Sequence, residues 1–380
     1  MTYKTKTAAL VACIVALGVA SAPQNASALQ PIACSHTPPP QQMPQTRPIE
    51  LGVSGGNVHS LLKFKNGNLK GCFSGTLGSL VQDSSDNQYI LSNNHVLADQ
   101  NKATPGQAIV QPGLVDVSCL KSGTDAVATF SNAIKLRFGG HKNFVDAALA
   151  AVQPGQVSPE ILLIGEIASS LATPVIGMPV QKMGRTTCLT TGVIAALNAN
   201  LQVNYSDTLK PHLATFVNQI LVTGTVPTPK FGGPGDSGSL ILDTGECPQP
   251  VALLFAGSAD GSTTIANPIT EVTSRLGVSM VGTCTASLAS DTEQDDVEAG
   301  NVGVSKEAVT AATAVRDRHE AQLMSIAGAV GTGIGVGDGA GHPSIEVYVT
   351  KITPAAKAGA PKDVEGVPVK MIENGGFVAY

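Results

Sequence analysis

Past residue 28 the chain has no apolar run long enough to cross a bilayer as a helix, which needs about 20 residues. It also lacks any CxxC pair or Cys/His cluster at metal-ligand spacing, so no zinc-type site is legible. Charge is scarce: Asp, Glu, Lys and Arg make up 13% of the 380 residues, and the formal net charge is −5. That sign is wrong for a general binder of nucleic acid or anionic membrane. What is plentiful is glycine (41) and proline (24), within a chain that is 43% hydrophobic. The combination excludes a disordered chain and predicts a turn-rich β protein with a sizeable core. The length suits two domains.

The first 28 residues read as an export signal. Lys4 and Lys6 precede an apolar run from Thr7 to Ala20, and Ala26-Ser27-Ala28 supplies a small-x-small cleavage site. Cleavage there removes two lysines and no acids, taking the formal charge from −5 to −7. The expected product is secreted or periplasmic, with no stable membrane insertion. Six cysteines then remain: Cys34, Cys72, Cys119, Cys188, Cys247 and Cys284. An even number in an exported chain predicts disulfides, although six cysteines allow many pairings. The pairing expected here joins Cys72 to Cys119 in one half of the fold and Cys247 to Cys284 near its end.

A Pro/Gln-rich linker is expected over 29–48. From Ile49 to about Thr283, short β-type runs such as Tyr89-Ile90-Leu91 and Val251-Ala252-Leu253-Leu254-Phe255 alternate with Gly, Asn, Asp and Pro, as in a sandwich or barrel. This sets a main domain at 49–284. An acidic linker over 285–304 precedes a small α+β domain at 305–380. Ser305 is placed to cap a helix whose apolar stripe is Val309, Ala312, Val315, Leu323 and Ile326, with Arg316, Arg318 and Glu320 facing away. Ile345, Val347 and Val349 alternate as in a half-buried strand, and Val367, Val369 and Met371 do so again.

Three motifs carry chemistry. In Gly232-Gly233-Pro234-Gly235-Asp236-Ser237-Gly238-Ser239 a serine stands between glycines just before an apolar run. A serine is a useful nucleophile only with a base to take its proton and donors for the oxyanion; the backbone N–H groups of Gly235 and Ser237 are the candidate donors. His95, in Ser92-Asn93-Asn94-His95-Val96, follows a β-type run and is the candidate base. Asp146 lies in the apolar run Phe144-Val145-Asp146-Ala147-Ala148-Leu149, where a carboxylate is costly unless partnered; a hydrogen bond from His95 would satisfy it and fix the tautomer. Gly184-Arg185-Thr186-Thr187-Cys188 reads as a strand and turn with Cys188 in a disulfide, and Lys182 and Arg185 read as solvated charges.

The order His95, Asp146, Ser237, at separations of 51 and 91 residues, resembles the chymotrypsin/trypsin-like serine peptidases of bacterial type. The Asn-Asn-His-Val form of the histidine motif is similar to bacterial members, including the Htr-type proteases. The resemblance spans roughly residues 50–283. It implies a mainly β fold, a double six-stranded antiparallel β-barrel with the site in the cleft between barrels, followed here by the small α+β domain. It further implies a secreted serine endopeptidase acting through an acyl-enzyme on Ser237, with a polypeptide substrate and no cofactor.

The sequence also departs from that family. No Arg-Ile-Val-Gly-Gly activation site is present, so Asp236 must pair with something other than a new N-terminus. Phe231, six residues before the serine, stands where the base of the specificity pocket is often formed, and argues for a small or apolar preference. Two other readings stay open: a chymotrypsin-fold binding protein with little or no turnover, and an Htr-type protease whose tail, through Val349–Gly359, is PDZ-like. Docking of the C-terminal domain on the cleft is a further expectation.

Overall fold

The computed structural model describes residues 32–63, 67–120, 125–206, 211–226, 229–285, 303–338 and 341–380. The export signal at 1–28 and most of the acidic stretch 285–304 lie outside the described residues.

Short, largely buried strands close the first barrel. Val53–Asn57 pairs with Gly75–Leu77, whose path continues through Ser79–Gln82 to Gln88–Ser92, then Ala148–Val152, Ala126–Ala133 and Ala108–Val110, which returns to Val53–Asn57. Every pairing is antiparallel, and with 75–82 taken as one interrupted strand the ring has six members. Val53, Leu77, Leu80, Ile90, Leu91, Ile109, Val127 and Leu149 are buried in one apolar cluster on its two faces.

A second ring of six closes in the same way. Pro179–Lys182 pairs with Thr190–Asn204, then Leu213–Gly224, Thr263–Pro268, Pro250–Ser258 and Leu240–Asp243, which pairs back to Pro179–Lys182. Val180, Ile194, Val222, Ile241 and Leu254 fill it. The fold is therefore the double six-stranded antiparallel barrel that the resemblance implied. The helix Ile269–Leu276 follows the second barrel.

Thr190–Asn204 is 15 residues long and outruns its barrel. Its far half offers a free edge, on which Ala329–Val336 pairs antiparallel. Pro343–Val349 and Val367–Glu373 then extend the sheet outward. The C-terminal elements thus continue the second barrel's sheet, and the helix Lys306–Met324 packs on them. Ser305 caps that helix, its hydroxyl accepting from the Ala308 N–H at 3.1 Å. Val309, Ala312, Leu323 and Ile326 are buried with Ile334, Ile345, Val347 and Val349.

Arg316 does not face away. It is buried, its guanidinium donating to the Asn198 carbonyl at 2.8 Å and Thr332 Oγ1 at 3.2 Å, with Asp317 and Glu320 as ionic partners. These partners satisfy a charge that would otherwise be costly beneath the helix. The stretch Thr37–Pro48 is not a free extended linker either. It carries a 3-10 turn, Pro40–Gln42, and lies on the barrels: Gln42 donates to the Arg185 carbonyl at 3.0 Å and Gln111 to the Met43 carbonyl at 2.7 Å. The disulfides join Cys34 to Cys188, Cys72 to Cys119 and Cys247 to Cys284.

Candidate active site

His95 lies in the short helix Asn94–Leu97 at the lip of the first barrel, and Asp146 just precedes Ala148–Val152. Ala148 pairs with Ser92, so strand register alone brings the two together. His95 Nδ1 is 2.6 Å from Asp146 Oδ2, which fixes the proton on Nδ1 and leaves Nε2 toward the cleft. The carboxylate is fully buried yet well satisfied. The His95 backbone N–H reaches Oδ1 at 3.3 Å, and the Tyr205 hydroxyl donates to Oδ2 at 2.6 Å. Asn93 and Asn267 hold the Asp146 carbonyl and N–H at 2.7 and 2.9 Å. Burial and the adjacent Asp146 charge push the Tyr205 phenol well up, so it stays a donor. Burial works against a charged His95, but the Asp146 carboxylate, aided by the Tyr380 carbonyl, outweighs it and raises the ring above its ordinary value.

Ser237 comes from the second barrel. The Asp236 N–H donates to the Gly233 carbonyl at 2.9 Å, closing a turn with Pro234 and Gly235 at its centre. Gly235 has φ +102°, which a type II turn requires at that position and which favours glycine. The turn is pinned on both sides. The Pro234 carbonyl accepts from Thr186 Oγ1 at 2.6 Å and the Gly235 carbonyl from Thr76 Oγ1 at 3.0 Å. Because a trans peptide sets N–H opposite to C=O, the Gly235 N–H faces away from Thr186. Thr76 also donates its backbone N–H to the Ser237 carbonyl at 2.7 Å, tying the Ser237 loop to the first barrel.

Asp236 finds its partners within the fold. Its carboxylate accepts from the N–H groups of Gly233, Thr186 and Thr187 at 2.9, 2.8 and 3.1 Å, and from Thr187 Oγ1 at 2.7 Å. Lys182 Nζ is 3.7 Å away, and both side chains are wholly buried. Lys182 is thus no solvated charge; its ammonium also donates to Thr187 Oγ1 and the Cys188 carbonyl at 2.5 and 3.0 Å. Burial nonetheless pulls the lysine below its ordinary pKa. Arg185 is not free in solvent either, forming two bonds to Asp116 at 2.8 and 2.5 Å. Among the six cysteines, Cys188 ends this same turn and carries the bond to Cys34.

The Ser237 hydroxyl and His95 Nε2 converge on one atom that is not a side chain of the site. The Tyr380 carbonyl oxygen lies 2.5 Å from Ser237 Oγ and 3.0 Å from His95 Nε2. The Tyr380 N–H donates to the Phe255 carbonyl at 3.2 Å, and Phe377–Ala379 pairs antiparallel with Pro250–Ser258. Phe231, expected at the pocket base, is fully buried in the second barrel, in the apolar cluster against which the Tyr380 side chain packs. A cleft of about 330 Å³ runs beside Val378, Ala379 and Tyr380, walled also by Phe73, Val96, Val115 and Pro234. Tyr205 and the Tyr380 contact are the two features of the site that sequence reasoning missed.

The family model described as the Nal1 C-terminal domain matches residues 155–274, a stretch that takes in Ser237. No curated protein matches the chain. Among solved structures, Thermobifida fusca protease A is 17% identical, with 62% of this chain and 99% of that chain covered at a TM-score of 0.40. Cellulomonas bogoriensis chymotrypsin is 18% identical over 62% of this chain and 99% of that one, at 0.39. A Nocardiopsis protease is 16% identical over 61% and 98%, at 0.40.

Proposed function

We propose that this chain is an exported serine endopeptidase with Ser237 as nucleophile, His95 as general base and Asp146 as the residue that orients and charges the imidazole. The observation that carries the reading is the convergence on one carbonyl oxygen of Ser237 Oγ and His95 Nε2, the latter on a ring held by Asp146 at 2.6 Å. A peptide whose main chain follows the same path brings its carbonyl carbon within reach of the hydroxyl. Ser237 Oγ attacks the carbonyl carbon while His95 Nε2 takes its proton, and the Gly235 and Ser237 N–H groups receive the oxyanion. The leaving amine takes the proton from His95 as the C–N bond breaks. Water then repeats the sequence on the ester and frees the acid. The three disulfides suit the oxidising compartment to which an export signal would send the chain.

Ser237 is fully buried in the resting chain, and this favours a second reading in which turnover is slight. Labelling with a fluorophosphonate tests the first. The intact chain should acquire one phosphonyl group, seen by mass spectrometry, and Ser237→Ala should acquire none. Absence of labelling in every form of the protein would sink the hydrolase reading.

A further inference from the structure

The segment Phe377–Tyr380 binds the cleft as an extended peptide would. Three antiparallel pairs set its register against the second barrel: Ala256 with Ala379, Gly257 with Val378 and Ser258 with Phe377. Its other edge runs parallel to Val203 and Asn204. This is strand addition, in which main-chain bonds hold any sequence and alternate side chains meet pockets. The register ends with the Tyr380 carbonyl between Ser237 and His95.

The side chain at that position has a place made for it. A Cβ built on Gly257 would collide with the Tyr380 ring and hydroxyl, so only glycine leaves the slot open. The ring packs on the buried apolar cluster of Val180, Ile220, Phe231, Leu254 and Ala266. The phenol oxygen is buried without a hydrogen-bond partner. A slot that grips the ring and leaves the hydroxyl unpaired selects aromatic side chains and favours phenylalanine over tyrosine.

The C-terminal elements deliver the segment. Phe377 is buried edge-on against Tyr348, at 5.6 Å between ring centres, and the Gly376 carbonyl accepts from the Ala259 N–H at 2.8 Å. The open cleft of about 330 Å³ borders Val378, Ala379 and Tyr380 and reaches Phe73 and Ser74, which leaves room for the rest of a peptide.

We infer that this cleft takes peptides with an aromatic residue at the attacked carbonyl, and that the chain's own Phe377–Tyr380 occupies it as an intramolecular inhibitor. The inference rests on the peptidase reading for its chemistry but not for its binding. It deepens the expected docking of the tail by naming the four residues that dock and the subsite that Tyr380 fills.

Two assays separate the layers. Fluorophosphonate labelling of the full chain is compared with Tyr380→Asp, which sets a carboxylate in the apolar slot, and with a chain lacking residues 377–380. Both variants should label faster by about tenfold or more, since the occupied fraction is lost to reagent. Fluorescein-tagged Phe-Val-Ala-Tyr, Phe-Val-Ala-Phe and Phe-Val-Ala-Arg are then titrated by anisotropy against Tyr380→Asp carrying Ser237→Ala. The aromatic peptides should bind at least about tenfold tighter than the arginine peptide. Labelling rates within about twofold of the parent in both variants, or equal binding of the arginine peptide, would overturn the inference. Selective binding of the aromatic peptides with no labelling in any form would keep the aromatic subsite and its occupant while removing the peptidase reading.

Discussion

At the scale of single residues, the site depends on how a buried carboxylate is satisfied. Asp146 Oδ2 receives His95 Nδ1 and the Tyr205 hydroxyl, both at 2.6 Å. The phenol therefore shares the charge that His95 feels, and its ring stands edge-on to the imidazole at 5.8 Å between centres. Tyr205 is a positioning residue, since it touches the orienting acid and not the reacting atoms. Tyr205→Phe keeps the packing and removes one bond to a charged group, which should lower stability by about 1.5–3 kcal/mol in a denaturant titration. With one donor gone, Asp146 acts more strongly on His95, so the acid limb of kcat should move to higher pH while KM holds. An unmoved limb would reduce Tyr205 to a packing residue.

At the scale of elements, the loop that carries Ser237 is set by turn type. Pro234 and Gly235 occupy the two central positions of the turn closed by Gly233 and Asp236. At φ +102° any L side chain on residue 235 is strained, and a Cβ there would also press on Thr186 Oγ1 and Arg185 Nη1. Gly235→Ala should tip the turn to type I and swing the 235 N–H out of the oxyanion position. In a chain lacking 377–380, kcat for a Phe-Val-Ala-Phe anilide should drop by about 10²–10³ with KM nearly unchanged. A fall confined to KM would show that the turn shapes binding alone. This loop was legible in the sequence because its glycines, proline and serine are adjacent. The barrels were legible for a related reason, since short β-type runs and the Gly, Asn, Asp and Pro between them are local signals.

Misread residues were those whose partners are far along the chain. Lys182 and Arg316 look solvated by residue type, yet their positions say otherwise. Lys182 follows Val180 at the strand period of two, on the inward face, and both are wholly buried. Arg316 stands four residues after Ala312, inside the apolar stripe. Tyr205 continues the inward series Leu201, Val203, and a phenol on such a face needs a partner. Face was readable in each case; the partners, Asp236, Asn198 and Asp146, were not. The tail's occupancy of the cleft depends on register between strands more than a hundred residues apart, which no local pattern encodes.

At the scale of the whole molecule, docking of Phe377–Tyr380 and protonation of His95 are linked. The groups facing His95 are Asp146 and Tyr205 behind it, Ser237 and Tyr380 across it, and Asp99 and Arg185 along the cleft. Burial opposes the imidazolium, whereas Asp146 and the Tyr380 carbonyl favour it, and the net shift is upward. The Tyr380 part of that shift exists only while the segment is docked. A docked state that raises a histidine pKa is stabilised fully below the ordinary value of about 6.5, and loses that stabilisation as pH climbs through the raised one. Alkalinisation therefore does two things at once in the intact chain: it frees the base and loosens the segment that covers it. Without residues 377–380 only the first remains. Labelling by fluorophosphonate should then rise with pH more steeply in the intact chain than in the shortened one, and the shortened chain's midpoint should lie at lower pH. Parallel profiles with a common midpoint would mean that the docked segment and the histidine proton do not sense each other.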